Sequence, residues 1–177
     1  GKHNVKNASY AISLGEMLIL TQEQIQTGLD ELSVTEMRLQ TITCSDGTTI
    51  INDAYNASPT SMQAAIETLA ALHGYNKKIA VLGDMYELGP DEESLHRKVA
   101  SVIGEPISVI ITVGSKAEWI ATELMRMKKA NALTIHVCQS KEDGINFLKL
   151  YLGAGSLILF KASRAVKLET IVQRICS

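Results

Sequence analysis

The sequence predicts an α/β fold: a mostly parallel sheet with helices on both faces, preceded by a helical hairpin and a β-hairpin. Three observations carry this. From Pro59 onward, short and nearly continuous apolar runs alternate with helical patterns, as in strands buried on both faces. Before Pro59, the periodicity is first helical and then that of two strands around a Ser-Asp-Gly turn. Hydrophobic residues make up 46% of the 177 and charged residues 20%, enough apolar material for a sizeable core.

The elements follow in order. Val5, Ala8, Ile12, Gly15 and Ile19 recur at helical spacing, which predicts an amphipathic helix over about 3–17. Thr21 and Gln24 form a capping-box pattern, opening a second helix with Ile25, Leu29 and Leu32 on its inner side. Arg38 to Cys44 and Thr48 to Asn52 flank Ser45-Asp46-Gly47, a hairpin signal. Ser58-Pro59 then starts a helix with Met62, Ala65, Ile66, Leu69 and Leu72 on one face. Strands are predicted at 78–82, 108–113, 133–137 and 156–160. Helices lie between and after them, one with Asp91, Glu92 and Glu93 in its first turn, others capped by Ser115 and Ser140. Right-handed crossovers make this an open, Rossmann-like three-layer domain.

Charge and cysteine content exclude several classes. A net charge of -2 gives no general affinity for nucleic acid or an anionic membrane, and Lys77-Lys78 and Lys128-Lys129 read as solvated surface pairs. The apolar runs are too short to span a bilayer. Cys44, Cys138 and Cys176 are odd in number and far apart, so they read as reduced thiols in a cytosolic protein. His73, His96 and His136 have no metal-ligand spacing. The chain begins at Gly1 directly before a helix, which suggests a piece of a longer protein.

In such sheets, ligands bind beyond the carboxyl ends of the strands. Candidate residues therefore lie in four polar turns: Asp53, Asn56 and Ser58; Asp84 and Glu87; Gly114 to Lys116; and Lys161, Ser163 and Arg164. Two cations and a hydroxyl within four residues suit a carboxylate or phosphate, the arginine offering a planar fork. Each turn also has a structural reading. Asp84 and Glu87 can satisfy turn amides, and Ser58 is a helix cap. His3 and Asn4 suit a helix start, and Arg38 an exposed strand end. No G-x-x-x-x-G-K-S/T phosphate loop is present.

Gly1-Lys2-His3-Asn4-Val5 with Asn7-Ala8, Met37-Arg38-Leu39, Asn52-Asp53-Ala54-Tyr55-Asn56-Ala57-Ser58-Pro59, Gly83-Asp84-Met85-Tyr86-Glu87-Leu88-Gly89 and Lys161-Ala162-Ser163-Arg164 run in this order along the chain. Together they resemble the Mur ligases, three-domain enzymes of peptidoglycan precursor synthesis. The Tyr55-to-Pro59 turn and the Gly83-to-Gly89 loop point, within the family, to the branch that joins D-alanyl-D-alanine to UDP-N-acetylmuramoyl-tripeptide. The resemblance implies that residues 1–57 are the end of a truncated central ATPase domain and 58–177 the C-terminal Rossmann-like domain. It implies ATP and Mg²⁺, an acyl-phosphate intermediate, amide formation, a bacterial cytoplasmic location and a monomer without nucleic-acid partners.

By the same resemblance, His3 and Asn4 contact the adenine, while Arg38 and Asp53 hold ribose and phosphates. Asn56 and Ser58 line the cleft. Lys161, Ser163 and Arg164 face the incoming dipeptide, and Asp84 and Glu87 lie at the same sheet edge. No metal ligand is assigned, and without a phosphate loop the piece alone is expected to be inactive. Ala162 and Ala165 stand where the family has glycine, which would strain the loop if those positions need positive φ. The 52–58 stretch is expected to be a hinge, and residues 1–57 are expected to be less stable than the rest for want of their sheet. Other readings are a different Mur-type or folylpolyglutamate-type ligase, or a non-catalytic nucleotide- or peptide-binding module.

Overall fold

A computed structural model describes residues 2–31, 37–127 and 132–176. The chain divides into two compact units, residues 1–35 and 36–177. Leu32 and Lys128-Lys129, named above, lie outside the described residues.

The first unit is a helical hairpin of α1 (Lys2–Met17) and α2 (Gln22–Asp30). Thr21 caps α2, and the Gln24 side chain returns a bond to the Thr21 amide, completing the expected capping box. The helices meet at Gly15, where an added Cβ would lie 2.8 Å from Ile25. Among residues 5–31 only Gly15 is buried, and Ile19, expected on the inner face, is exposed beyond the helix end.

The second unit is built on a six-stranded sheet. Its strands are β1 (Gln40–Thr43), β2 (Thr49–Asn52), β3 (Lys77–Gly83), β4 (Val109–Val113), β5 (Thr134–Cys138) and β6 (Ser156–Lys161). The spatial order is β1-β2-β6-β3-β4-β5, with only the β1–β2 pair antiparallel. The α/β expectation therefore holds, and the sheet is larger than the four parallel strands foreseen after Pro59. The hairpin is not short of a sheet: β2 pairs in parallel with β6, Ile51 opposite Leu159. The 57/58 division expected from the sequence lies inside this compact unit.

Two apolar layers cover the sheet. Helix α3 (Pro59–Ala71), α4 (Glu92–Val99) and α5 (Glu118–Arg126) pack Met62, Ile66, Leu69, Val99, Ile120 and Leu124 against Ala80, Leu82, Leu157 and Leu159. On the opposite face, α6 (Lys141–Leu148) and α7 (Glu169–Ile175) pack Ile145, Leu148, Ile171 and Val172 against Ile79, Val81, Ile158 and Phe160. The alternation Ile79/Ala80/Val81/Leu82 sends successive side chains into opposite layers. Each fully buried large side chain contributes roughly 1.5–3 kcal/mol of transfer free energy.

Two surface expectations are corrected. Lys78 is buried, with its ammonium donating to the Ala70 carbonyl at 2.6 Å. It thereby satisfies an acceptor in the last turn of α3, where a cation is favoured. Cys44 and Cys176 are not free thiols: they form a disulfide, with Cα atoms 4.7 Å apart. The sequence hid this pairing because its partners are 132 residues apart, one just beyond β1 and one just beyond α7. Cys138 is free and buried, its thiol pushed up to about 11 by burial, with a smaller contribution from Asp143.

The parallel register brings the carboxyl ends of β2, β6, β3 and β4 to one edge, since Asn52 lies opposite Phe160, Lys161 opposite Leu82, and Gly83 opposite Val113. The turns after these four strands meet there.

Candidate functional site

The turn after β3 is fixed from beneath by Asp84. Its Oδ1 accepts from the backbone N–H of Lys116 at 3.0 Å and of Ala117 at 2.7 Å. A carboxylate from another strand thus caps the first turn of α5, where the unpaired amides and the helix dipole favour an anion. Ser115, expected to be that cap, makes no such bond; the cap position is Ala117 and carries no side-chain bond. Gly114 makes room: at φ +110° it lies so close that a Cβ would be 2.5 Å from Asp84 Oδ1.

The turn after β6 is joined to that loop. Ser163 N–H donates to the Asp84 carbonyl at 3.0 Å, and Tyr86 N–H donates back to Ser163 Oγ at 2.9 Å. The Tyr86 hydroxyl reaches Asp84 Oδ2 at 3.4 Å, and Lys116 Nζ lies 5.1 Å from the centre of the Tyr86 ring while pairing with Glu92. Burial, and then the Asp84 charge, holds the Tyr86 phenol above its ordinary value. Ala162 and Ala165 have no positive φ, so the strain anticipated for alanine there does not arise. Ala162 is instead a packing residue, its methyl filling the space that glycine leaves at Gly83.

Lys161 connects the third turn. Its Nζ donates to Asp53 Oδ2 at 2.6 Å and to the Asn56 carbonyl at 3.0 Å, and its side chain is only 3% exposed. The other Asp53 oxygen accepts Leu39 N–H at 3.1 Å, and Asp53 N–H donates to the Phe160 carbonyl. The 53–56 turn, expected to be a hinge, is bound to β6 by these bonds. Arg38 is exposed, its guanidinium 4.6 Å from the centre of the Tyr55 ring. Ser58 caps α3 in a reciprocal pair with Ser61.

A cleft of about 340 Å³ opens above these ties, lined by Asn56, Tyr86, Glu87, Ser163, Arg164 and Ala165. Arg164 is half exposed there and is steadied by Glu169 and by the Met37 sulfur, each 2.9 Å from Nη1. Glu87 sits at φ 63°, a left-handed conformation unusual for glutamate. Of the residues expected in the site, Asn56, Glu87, Ser163 and Arg164 line the cleft. Asp84 and Lys161 are turned beneath it, Asp84 to a helix cap and Lys161 to the Asp53 turn. Ser58 is committed to its helix. His3 and Asn4 lie in the first turn of α1, in the other unit, and their side chains are outside the described residues.

Gly114 and Lys116, in a turn named from sequence, pack against the Asp84 loop, whereas Tyr86 and His96 are not singled out for the site by the sequence. His96 had a legible signal, since it stands three residues before Val99 and seven before Ile103, which places it on the buried helical face. Tyr86 becomes visible only when the β3 and β6 turns are seen side by side. Among the described residues no group of three or more His, Cys, Asp or Glu is placed to hold a metal ion, and no helix is long and apolar enough to cross a membrane.

Comparison with known proteins agrees with this construction. The chain is 44% identical over 174 residues to the UDP-N-acetylmuramoyl-tripeptide–D-alanyl-D-alanine ligase of Bacillus subtilis, covering 98% of this chain and 38% of that protein. A crystal structure of MurF from Acinetobacter baumannii superposes with a TM-score of 0.79 at 29% identity, covering 99% of this chain and 38% of the other. MurF ligase from Thermotoga maritima in complex with ADP superposes with a TM-score of 0.73 at 27% identity, over 92% of this chain and 35% of the other. The chain therefore spans well under half the length of the relatives it matches. Residues 37–164 match the Mur ligase, glutamate ligase domain family. With its sheet order, its joined strand-end turns and that match, the chain belongs to the Mur ligase C-terminal domain family.

Proposed function

We propose that the chain is the C-terminal part of an ATP-dependent, amide-forming ligase that adds D-alanyl-D-alanine to UDP-N-acetylmuramoyl-tripeptide. The observation that carries this is the cleft itself: a small opening lined by an exposed guanidinium on one loop and a carboxylate on another. That pairing suits a short zwitterionic peptide, with Arg164 on its carboxylate in a planar fork. The Ser163 hydroxyl offers a donor beside it, and Tyr86 with Ala165 bounds the space for small side chains.

ATP would transfer a phosphoryl group to the terminal carboxylate of the tripeptide. The dipeptide amine would then attack that carbonyl carbon, lose its proton, and expel phosphate to leave an amide. The residues present fit a nucleotide edge. Arg38 offers an exposed cation and Asn56 an exposed carboxamide. Asp53 keeps unused lone pairs for ribose hydroxyls, since Oδ1 accepts the Leu39 backbone amide and Oδ2 the Lys161 ammonium. His3 and Asn4 would meet the adenine. The described residues do not supply a Mg²⁺ site, so its ligands would come from the rest of the enzyme and no step is derived through it.

In this reading residues 1–57 are the end of the central domain and 58–177 the C-terminal domain. The enzyme is a cytoplasmic monomer, and the piece alone does not ligate. The test is the full-length enzyme carrying Arg164→Ala. Loss of a charge-assisted pair of roughly 1.5–3 kcal/mol should raise KM for D-alanyl-D-alanine by about 10-fold or more, with KM for ATP unchanged. Unchanged KM and kcat for the dipeptide would remove Arg164 from the site, and absence of ligation by the wild type would remove the reading.

A further inference from the structure

His96 stands on the inner face of α4 with no exposed surface. Its Nδ1 is 2.7 Å from the Glu92 carbonyl, and its Nε2 is 2.9 Å from the Met85 amide nitrogen. The partners determine the tautomer. A carbonyl only accepts, so Nδ1 carries the hydrogen; an amide N–H only donates, so Nε2 must be the bare acceptor. The Trp119 indole packs edge-on at 5.5 Å, holding the ring plane.

Met85 is the middle of three consecutive tied residues. Asp84 is bound to α5 and Ser163, Met85 to His96, and Tyr86 to Ser163 Oγ. Directly after them Glu87 takes its left-handed conformation at the cleft wall. Nothing about a helix in this position requires a histidine. A buried apolar side chain would pack there but leave the Met85 amide without an acceptor.

We infer that His96 is a positioning residue for the cleft, a bare-nitrogen latch that fixes residues 85–87 and so aims Tyr86 and Glu87 into it. A proton on Nε2 would set a donor against a donor and release the latch. The charged groups around the ring are Asp84 and Glu92, which favour its protonation, and Lys116, which opposes it. Toward α4, α3 offers the neutral Gln63, whose amide binds the Lys98 carbonyl, and the α5 carboxylate Glu123 is engaged by Arg97 and Arg126. Burial outweighs the two acids and holds the ring below its ordinary value of 6.5. The sign follows: above about 6.5 the latch is fully closed, and it is lost as pH falls through the lower folded value.

The inference rests on the dipeptide reading only for its kinetic arm. In the 177-residue chain, the hydrogen-exchange protection factor of the Met85 amide is followed from pH 7.5 downward through protonation of the His96 ring, read from its nitrogen NMR signals, in the wild type and in His96→Gln and His96→Phe. Glutamine retains an acceptor and a donor but does not titrate. The wild type should lose protection at least 10-fold across the acid range. The glutamine variant should stay protected throughout, and the phenylalanine variant should be open at least 10-fold at every pH. In the full-length enzyme, His96→Phe should raise KM for the dipeptide while KM for ATP stays put, and His96→Gln should restore it.

Equal Met85 protection in all three proteins, or a bare Nδ1 in the nitrogen NMR spectrum of the ring, would overturn the latch. If the phenylalanine variant does not fold, the wild-type pH series and the glutamine variant decide alone. A wild-type enzyme that fails to ligate D-alanyl-D-alanine would defeat the proposed function and leave the exchange result standing.

Discussion

Replacing Asp84 tests whether the joined turns are held as described. In Asp84→Ala, the amides of Lys116 and Ala117 lose their shared acceptor, 3.0 and 2.7 Å away, and Ala117 is fully buried. Hydrogen bonds to a charged group contribute roughly 1.5–3 kcal/mol, and an abandoned buried donor costs about 1–3 kcal/mol. Solvent can reach the Lys116 side of the turn, so the expected loss is about 3–4 kcal/mol rather than twice the upper figure. In Asp84→Asn the amide oxygen can still face both donors, and the nitrogen can turn to the Tyr86 hydroxyl. Only the charge is lost, for about 1–1.5 kcal/mol. Urea denaturation of the chain gives both numbers, with fluorescence of the single tryptophan, Trp119, reporting directly from α5. A change of 3 kcal/mol should lower Tm by about 6–12 °C for a chain of this size. An alanine variant within about 1 kcal/mol of the wild type would refute the cap, and so would asparagine and alanine variants of equal stability.

Two further substitutions probe the neighbouring contacts. In Gly83→Ala the new methyl would lie 2.7 Å from Ala162 Cβ, so it should lose about 1–3 kcal/mol; adding Ala162→Gly should recover most of this, and additive losses in the double-mutant cycle would contradict the pairing. Lys161→Met breaks a buried ion pair with Asp53 and should cost about 2–4 kcal/mol in denaturant titration. In the full-length enzyme it should disturb KM for ATP more than KM for the dipeptide, and the reverse order would place Lys161 in the cleft.

Much of the fold was readable because apolar runs of strand length alternate with capped helices. Ser58 and Ser140 show how local this information is, since each completes its capping box within three residues. The pairing of β2 with β6 was not readable, because no local pattern tells a hairpin which distant strand it will extend. The candidate site divides in the same way. Asn56, Glu87, Ser163 and Arg164, named from sequence, line the cleft because strand-end turns are where polar residues meet. Asp84 takes the structural reading its turn allows, accepting amides, and Lys161 is tied beneath the cleft to Asp53. Their charge was visible in the sequence, but their partners, the α5 amides and the Asp53 turn, are 32 and 108 residues away. His96 was set aside as a metal ligand, and its acceptor role needed the Met85 amide in view.

The position of β6 has a consequence for how the molecule is made. This strand is synthesised last, yet it lies between β2 and β3 and separates the hairpin from every other strand. At roughly 5–20 residues per second, about 5–20 s pass between the emergence of Ile51 and that of its partner Leu159. During that interval β2 offers an unpaired edge, and β3 to β5 can assemble with one side open. Sheet closure is therefore a single late event. A ribosome that stalls, or a stop codon that falls before Ser156, would leave two halves of a sheet with nothing between them.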